Sequence, residues 1–251
     1  MIKTTLNNSI LIIWLDRPKV NAINLEMIQL LSKNLDIAIN DSKIKGIIIT
    51  GRKGMFSGGL DLIELDSKDK NYMCNFWNEF SSLLIKIYSF PKLIFSAISG
   101  HSPAGGTVIA IMTDYRVMSE GKYFIGLNEV AVGLTMPIGI GEVFKNILGY
   151  RVAEKMTLRG ELVFPEKAKK IGLIDKLVSE SYSAVDIAME TMKEWLTLPL
   201  DRQIESKLIM REPTLDLMKK NFNKDNQLII DAWFSKEGKK IRQSIIDKLK
   251  K

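Results

Sequence analysis

Ser102 is the first residue of this chain whose surroundings suggest covalent chemistry. It lies in the stretch ISGHSPAGG, between a strand-like and a helix-like run, as the nucleophile of many serine hydrolases does. Such a serine needs a histidine base later in the chain, but the only histidine is its neighbour His101. The next residue should donate its backbone N–H to an oxyanion, and Pro103 has no N–H. We therefore expect no nucleophile at Ser102, and we expect His101 to be a loop residue satisfied by hydrogen bonds.

Two glycine pairs follow strand-like runs and could bring backbone amides close to a ligand. Gly105–Gly106 open an apolar helix, whose first N–H groups lack internal partners and can stabilise a developing oxyanion. The same glycines also fit a plain turn that only relieves crowding, and this segment alone favours neither interpretation. Gly58–Gly59 follow the run GIIIT (46–50) in a similar way. Neither pair belongs to a phosphate loop, because the chain has no Gly-x-x-x-x-Gly-Lys-Ser/Thr motif.

Glu129 is a lone carboxylate in an apolar stretch, YFIGLNEVAVGLTMP (123–137). Apolar surroundings raise the pKa of a carboxyl group and can make it a general base near neutral pH. A surface glutamate with a cationic partner fits the same local pattern. Glu129 by itself therefore leaves both interpretations open.

Composition limits the other kinds of chemistry. The chain has 251 residues, of which 46% are hydrophobic and 26% charged, as in an ordinary globular protein. A single cysteine, Cys74, excludes an intrachain disulfide, and with one histidine it excludes the usual Cys/His zinc site. The net charge of +7 is compatible with nucleic acid, acidic lipid or a phosphorylated small molecule. No aromatic-interleaved basic patch is present, so we expect no nucleic-acid partner.

The N-terminal region and the hydropathy pattern give no targeting or membrane signal. The apolar run Ile10–Leu15 is too short for a signal peptide and is followed by charge. No run approaches the length of a membrane span, and no Arg-rich presequence is present. We therefore expect no membrane span.

Alternating strand-like and helix-like segments predict an α/β core. After Asp175 the pattern changes, and three helical stretches predict a helical C-terminal extension from about residue 185. The predicted strands are SILIIWL (9–15), GIIITG (46–51), KLIFSAI (92–98), YRVMS (115–119) and KYFIGL (122–127), and the predicted helices of the core are 24–41, 73–90 and 105–114.

Five motifs in this order resemble the crotonase, or enoyl-CoA hydratase/isomerase, superfamily: RPKVNAIN, GIIITGRKGMFSGGLDL, AISGHSPAGGTVIAIMTDYRV, IGLNEVAVGLTMP and GELVFPEKAKKIGLIDKLV. The resemblance covers about residues 8–180. It implies a ClpP-like spiral of repeated ββα units with a C-terminal helical extension. It also implies a crotonase core domain over residues 1–190 and a C-terminal helical trimerisation region over 191–251.

Within the superfamily, FSGGLDL, SPAGG and YFIGLNE are most similar to mitochondrial Δ3,Δ2-enoyl-CoA isomerases. The resemblance implies that the backbone N–H groups of Leu60 and Gly105 form the oxyanion hole and that Glu129 is the catalytic base. The remaining substrate-binding residues implied by the resemblance are Gly58, Gly59, Asp61, Leu62 and Asn128. We expect Asp61 mainly to cap the following helix, and Asp175 to be structural.

Val108 distinguishes two reactions of this superfamily. Its hydratases use two glutamates, because water must be activated while a proton goes to carbon. The second glutamate matches Glu129, but the first falls on Val108, which cannot bind or deprotonate water. The resemblance therefore implies an isomerase that moves the double bond of a 3-enoyl-CoA to give the 2-trans-enoyl-CoA, in the β-oxidation of unsaturated fatty acids. The alternative is another crotonase-type acyl-CoA enzyme: a dienoyl-CoA isomerase, a hydratase or a hydrolase.

The resemblance also implies the partners and the compartment. Coenzyme A enters as part of the acyl-CoA substrate and no separate cofactor or metal is expected, while Arg17 and Lys19 are candidates for contacts with its phosphates. A homotrimer or a pair of trimers is expected. The mitochondrial matrix is the expected location, with the peroxisome or cytoplasm as alternatives.

Overall fold

The computed structural model of the protein describes residues 1–179 and 183–249. The strands are β1 (Ile2–Asn7), β2 (Ile10–Leu15), β3 (Gly46–Thr50), β4 (Gly54–Met55), β5 (Leu93–Ile98), β6 (Gly100–Pro103), β7 (Tyr115–Ser119), β8 (Ile125–Gly126) and β9 (Lys176–Val178). The helices are α1 (Leu25–Asn40), α2 (Leu62–Leu65), α3 (Lys70–Tyr88), α4 (Gly105–Ile111), α5 (Ile138–Leu148), α6 (Tyr150–Arg159), α7 (Pro165–Lys170), α8 (Ala184–Trp195), α9 (Leu200–Phe234) and α10 (Lys236–Leu249), with a 3₁₀ turn at Val130–Val132.

The strands form two sheets. The larger sheet has the order β1-β2-β3-β5-β7-β9 and is parallel except for the antiparallel pair β1–β2. The smaller sheet, β4-β6-β8, is parallel. Three successive pairs, β3–β4, β5–β6 and β7–β8, each contribute the first strand to the larger sheet and the second to the smaller one. This repeat confirms the predicted α/β fold with repeated ββα units.

The central strands are buried because helices cover both faces of the larger sheet. Every residue of β3 and β5 is buried, as their continuous apolar runs predict. Ile47 and Ile49 of β3 pack in the core that contains the apolar faces of α1 and α3. Ile48 points the other way, into a second cluster that contains the buried face of α8. Successive side chains of β3 thus point to opposite faces of the sheet and pack against the helices on both sides.

Five short or exposed strands differ from the sequence-based prediction, among them β4 and β6, which have only two and four residues. β1 is an exposed edge strand without an apolar run, and β9 has only three residues, so neither has a clear signal. The predicted strand KYFIGL is reduced to Ile125–Gly126. Gly126 has φ 146°, and a Cβ there would lie 2.6 Å from the Glu161 carbonyl oxygen, so the chain leaves ordinary strand geometry at this point.

The C-terminal helical extension is confirmed. α8 begins at Ala184, close to the expected start, and α9 continues for 35 residues through Pro213. α10 follows directly after Ser235. Residue 190, the predicted end of the core domain, lies within α8, and the division into two regions stays a prediction.

Candidate active site

A cavity of about 200 Å³ lies where the two glycine turns meet the segment after β8 and the C-terminal helices. Leu60, Gly105 and Glu129 all line it, although they are far apart in the sequence. The structure thus brings together the three residues for which catalytic roles are predicted. Most of the remaining wall is apolar.

Glu129 is the one ionisable side chain among the described residues that line this cavity. The residue is 8% exposed, and its Oε2 has no hydrogen-bond partner among the described groups. Burial raises the pKa of Glu129 from 4.5 to about 7, and a hydrogen bond to its own backbone opposes this in part. A carboxyl group in this environment can accept and return a proton near neutral pH.

A tight turn holds the Glu129 backbone in place. The 3₁₀ turn Val130–Val132 follows directly, and Gly133 ends it with φ 77°. The Leu134 N–H then donates to the Glu129 carbonyl at 2.8 Å. The Glu129 side chain therefore projects from a hydrogen-bonded turn.

The Leu60 amide is presented by a short parallel bridge to Ile23. The Ile23 N–H donates to the Gly59 carbonyl at 2.8 Å, and the Asp61 N–H donates to the Ile23 carbonyl at 2.9 Å. Because successive backbone groups of an extended segment alternate in direction, the Leu60 N–H points away from Ile23. It donates to no group in the described part of the chain. This amide is available to an oxygen in the cavity.

The Gly105 amide is the first N–H of α4 and likewise donates to no described group. It follows Ala104, whose φ of 49° turns the chain sharply into the helix. The two turns are in contact, since a Cβ on Gly59 would lie 3.4 Å from the Gly105 nitrogen. A Cβ on Gly105 itself would lie 3.0 Å from Ile23 Cδ1, so a larger residue would crowd this junction.

The other predicted substrate-binding residues divide into two groups. Gly58, Leu62 and Asn128 line the cavity, and Asn128 Oδ1 is buried there without a described partner. Gly59 and Asp61 are not part of the lining. Asp61 is the N-cap of α2, where its Oδ1 accepts from the Glu64 N–H at 3.0 Å, as expected for a helix cap.

Arg17 and Lys19, the candidates for phosphate contacts, lie in different environments. Arg17 forms ion pairs with Asp61 at 2.7 Å and with Glu64 at 3.1 Å. Its side chain is 18% exposed. Lys19 is exposed. The Arg17 guanidinium is therefore already paired within the protein.

The motif residues for which no catalytic role is expected are held by structural contacts. His101 lies in strand β6 and not in a loop, but its ring is satisfied as expected, since Nδ1 accepts from the Phe124 N–H at 3.1 Å. Ser102 is fully buried and is held by its backbone N–H, which donates to the Phe124 carbonyl at 2.8 Å, while its Oγ has no hydrogen-bond partner among the described groups. Asp175 forms a 2.8 Å ion pair with Arg116 and also accepts from its backbone N–H at 2.7 Å.

Val108, onto which the resemblance places the second glutamate of the hydratases, lines the cavity. It is 2% exposed and lies one helical turn after Gly105. This part of the wall is therefore apolar.

Sequence reasoning missed most of the apolar wall. It is formed by residues of α3, α5, α9 and α10: Trp77, Phe80, Ile140, Ile229, Ile245 and Leu249. Their only local signal is apolar spacing along a helix, which core residues share. Their convergence depends on long-range packing.

The described residues contain no cluster of three or more His, Cys, Asp or Glu side chains that could hold a metal ion. Within residues 1–179 and 183–249, no helix is long and apolar enough to cross a membrane.

The repeated ββα units, the two glycine turns and the C-terminal helices define a crotonase fold. The chain belongs to the enoyl-CoA hydratase/isomerase family, whose sequence model matches residues 5–251. It is 35% identical to the Mus musculus protein "Enoyl-CoA delta isomerase 1, mitochondrial" over 215 residues, which are 85% of this chain and 74% of the mouse protein. The Homo sapiens protein of the same name is 30% identical over 236 residues, 93% of this chain and 78% of that protein.

A solved structure agrees over nearly the whole chain. The crystal structure of human mitochondrial delta3-delta2-enoyl-CoA isomerase superposes with a TM-score of 0.95 at 28% identity. The match covers 99% of this chain and 98% of the human one. The C-terminal helices are thus part of the shared fold.

Proposed function

We propose that this protein is a Δ3,Δ2-enoyl-CoA isomerase, an intramolecular oxidoreductase that transposes a C=C bond. The observation that carries the proposal is the single ionisable side chain in the cavity wall, Glu129, which shares the cavity with two backbone amides that lack described partners. One carboxylate is sufficient for a 1,3-proton shift. The named mouse and human relatives support this activity, since both are enoyl-CoA delta isomerases.

In the proposed reaction, Glu129 removes a proton from C2 of a 3-enoyl thioester. The electron pair of the broken C–H bond delocalises over the thioester carbonyl and the C3–C4 double bond, which gives a dienolate. The protonated Glu129 then returns the proton to C4, and the double bond is left between C2 and C3. Proton and electrons balance without a co-reactant.

The Leu60 and Gly105 amides would stabilise the negative oxygen of the dienolate. A single oxyanion donor of this kind contributes roughly 3 kcal/mol to transition-state stabilisation. Without such donors a carboxylate is too weak a base for a carbon acid. The apolar wall would keep water from the dienolate.

Val108 supports isomerisation over hydration. Hydration requires a second polar group to hold and activate water, and this wall position offers only methyl groups. The alternative function is that of a hydratase, and the same assay tests it. Escherichia coli 2,3-dehydroadipyl-CoA hydratase, which is 26% identical over 91% of this chain, supports this alternative.

The test measures two reactions in parallel: isomerisation of 3-hexenoyl-CoA and hydration of 2-hexenoyl-CoA. We expect isomerisation to dominate and to fall about 10²- to 10⁴-fold in Glu129→Gln, because the variant lacks a base. In the wild type, kcat/KM should rise with pH through about 7, since Glu129 must be ionised to start the reaction.

Glu205→Gln is the matched control, because Glu205 is an exposed partner of Arg202 on α9. It should keep wild-type activity. A correctly folded Glu129→Gln enzyme with unchanged turnover would refute the mechanism, and dominant hydration in the wild type would favour the alternative.

The assembly and the compartment are part of the proposal. A homotrimer or a pair of trimers would be seen by light scattering of the purified protein. The mitochondrial matrix is proposed because the mouse and human relatives are named mitochondrial. Cell fractionation would test it.

A further inference from the structure

We propose that Arg17 is a positioning residue that holds the Leu60 N–H in the geometry required for an oxyanion donor. The inference rests on the proposed function. It assigns to Arg17 a role in the chemical step, as an alternative to a contact with the coenzyme A phosphates.

The Arg17 guanidinium connects both sides of the bridge that presents Leu60. Its Nη1 lies 2.7 Å from Asp61 Oδ2, and Asp61 directly follows Leu60. The same Nη1 donates to the Ala22 carbonyl at 3.0 Å, and Ala22 directly precedes Ile23, the bridge partner of Leu60. One group therefore fixes the two short segments relative to each other.

A third contact fixes the helix that follows Leu60. Arg17 Nη2 donates to Glu64 Oε2 at 3.1 Å, and the same oxygen accepts from Asn24 Nδ2 at 2.9 Å. Glu64 lies in α2, which Asp61 caps. The segment carrying Leu60 is thus held on its C-terminal side by charge-assisted hydrogen bonds, which are stronger than neutral ones.

The Arg17 backbone begins a second set of contacts, on the N-terminal side of Leu60. Its N–H donates to Asn21 Oδ1 at 2.9 Å, and Asn21 Nδ2 donates to the Phe56 carbonyl at 3.0 Å. Ser57 Oγ donates to the Asn21 carbonyl at 2.8 Å and accepts from the Gly59 N–H at 3.2 Å. Asn21 and Ser57 are fully buried, so water cannot replace these contacts freely.

The chemistry of the side chain explains why an arginine is suited to this place. A planar guanidinium can bind two carboxylates and a carbonyl at once, whereas a lysine ammonium is a compact point charge on a flexible stem. Asp61 and Glu64 pair with the two terminal nitrogens of the guanidinium. Because an oxyanion donor acts only at a well-defined position, a displacement of about 1 Å costs on the order of 100-fold in rate.

The test compares Arg17→Met and Arg17→Lys with Arg151→Met, a control in which Arg151 is an 82% exposed partner of Glu154. We expect kcat for 3-hexenoyl-CoA to fall about 10- to 100-fold in Arg17→Met, with KM changed less than about threefold. Arg17→Lys should recover only part of the rate. The pH profile should keep its midpoint, because Glu129 is untouched, and Arg151→Met should match the wild type.

Binding measurements separate positioning from general loosening of the fold. Acetoacetyl-CoA forms an enolate, whose negative oxygen needs the oxyanion donors. Butyryl-CoA forms no comparable enolate, so its binding depends less on these donors. Calorimetric titration should show a larger loss of affinity for acetoacetyl-CoA than for butyryl-CoA in Arg17→Met. Asp61→Asn should lower kcat as well, and the double variant should lose little more than Arg17→Met alone, because the Arg17–Asp61 ion pair is already absent in Arg17→Met.

Three outcomes would overturn the inference while leaving the proposed function intact. The first is that Arg17→Met changes neither kcat nor KM. The second is that KM rises while kcat is unchanged, as expected for a contact with a phosphate. The third is that acetoacetyl-CoA and butyryl-CoA lose affinity equally. If instead the wild-type protein does not isomerise 3-hexenoyl-CoA, the proposed function itself fails.

Discussion

Glu129 is buried in an environment where ionisation of its carboxyl group is energetically unfavourable. Its pKa is about 7 in the folded protein against 4.5 as the ordinary value, because burial disfavours the charged form. Between these values the folded protein binds a proton that the unfolded chain has released, so stability falls as the pH rises through this range. The loss is complete above the folded pKa and amounts to about 3 kcal/mol. A base of the proposed strength is thus obtained at the expense of stability near neutral pH.

Val108 gives a prediction about the choice of reaction. Val108→Glu should place a second carboxyl group in the cavity wall one helical turn after Gly105. We expect hydration of 2-hexenoyl-CoA to rise at least about tenfold, because the new group can hold and activate water, and isomerisation to fall. The rate of absorbance loss of the 2-enoyl thioester measures the hydration.

Val108→Gln is the matched control for this variant. Glutamine is similar in size and polar but cannot act as a base at neutral pH, so it should add little hydratase activity. No water addition at all in a folded Val108→Glu protein would contradict this account of selectivity.

Among the strands and helices, those with a clear local pattern of apolar residues are predicted best from the sequence. β3 and β5 are continuous apolar runs and are buried on both sides, as expected. β1 is an exposed edge strand held by its pairing with β2, which no local pattern predicts. α10 is recognisable as a helix, but its position over the cavity depends on contacts with distant residues.

Arg242 makes those contacts. It is 2% exposed, and its guanidinium lies 3.9 Å from the Trp233 ring centroid and donates to the Trp233 carbonyl at 2.6 Å. Its Nε donates to Asp66 Oδ1 at 3.1 Å, which links α10 to the end of α2. Ile245 and Leu249 of the same helix line the cavity. Arg242 therefore connects α10, which carries two residues of the cavity wall, to the end of α2 and to the end of α9.

Arg242→Met should loosen α10 without unfolding the core. Hydrogen bonds to charged groups contribute about 1.5–3 kcal/mol each, so we expect amide hydrogen exchange over residues 236–249 to quicken at least about tenfold. KM should rise as part of the wall is lost. Arg202→Met, at an ion pair in which Arg202 is 76% exposed, should change neither quantity. Unchanged exchange in α10 would mean that apolar packing alone holds it.

For the whole molecule, the sequence predicts more of the chemistry than of the cavity that contains it. Local composition allows a base at Glu129 and a free amide at Gly105 without deciding either, and the role of Leu60 comes only from the resemblance. The structure brings all three residues to one cavity. Trp77 and Ile229 also line it, but they are distant in sequence and resemble any core residue of an amphipathic helix. These wall residues come together because α3, α5 and α9 pack against one another. Such long-range packing cannot be inferred from a short stretch of sequence.

α9 is attached to the core through a buried charge cluster around Asp114. The Asp114 side chain is 5% exposed and lies 3.1 Å from Lys207 Nζ and 3.0 Å from Arg211 Nη1, both on α9. Asp114 also accepts from the Ile94 N–H at 2.8 Å, and this hydrogen bond connects the charge cluster to β5. Burial lowers the pKa of Lys207, and Asp114 opposes that shift. The carboxylate thus compensates two cations that the fold has largely removed from water.

Asp114→Asn should therefore destabilise the whole molecule. Removing one partner of a buried ion pair leaves uncompensated charge, and the expected loss in the free energy of unfolding is about 3–5 kcal/mol, measured by urea denaturation. Asp36→Asn is the matched control, since Asp36 is 54% exposed in its ion pair with Lys86 and should cost less than about 1 kcal/mol. Adding Lys207→Met to Asp114→Asn should recover part of the loss, because it removes one of the unpaired cations. If Asp114→Asn costs no more than the control, α9 is held by apolar packing and not by this cluster.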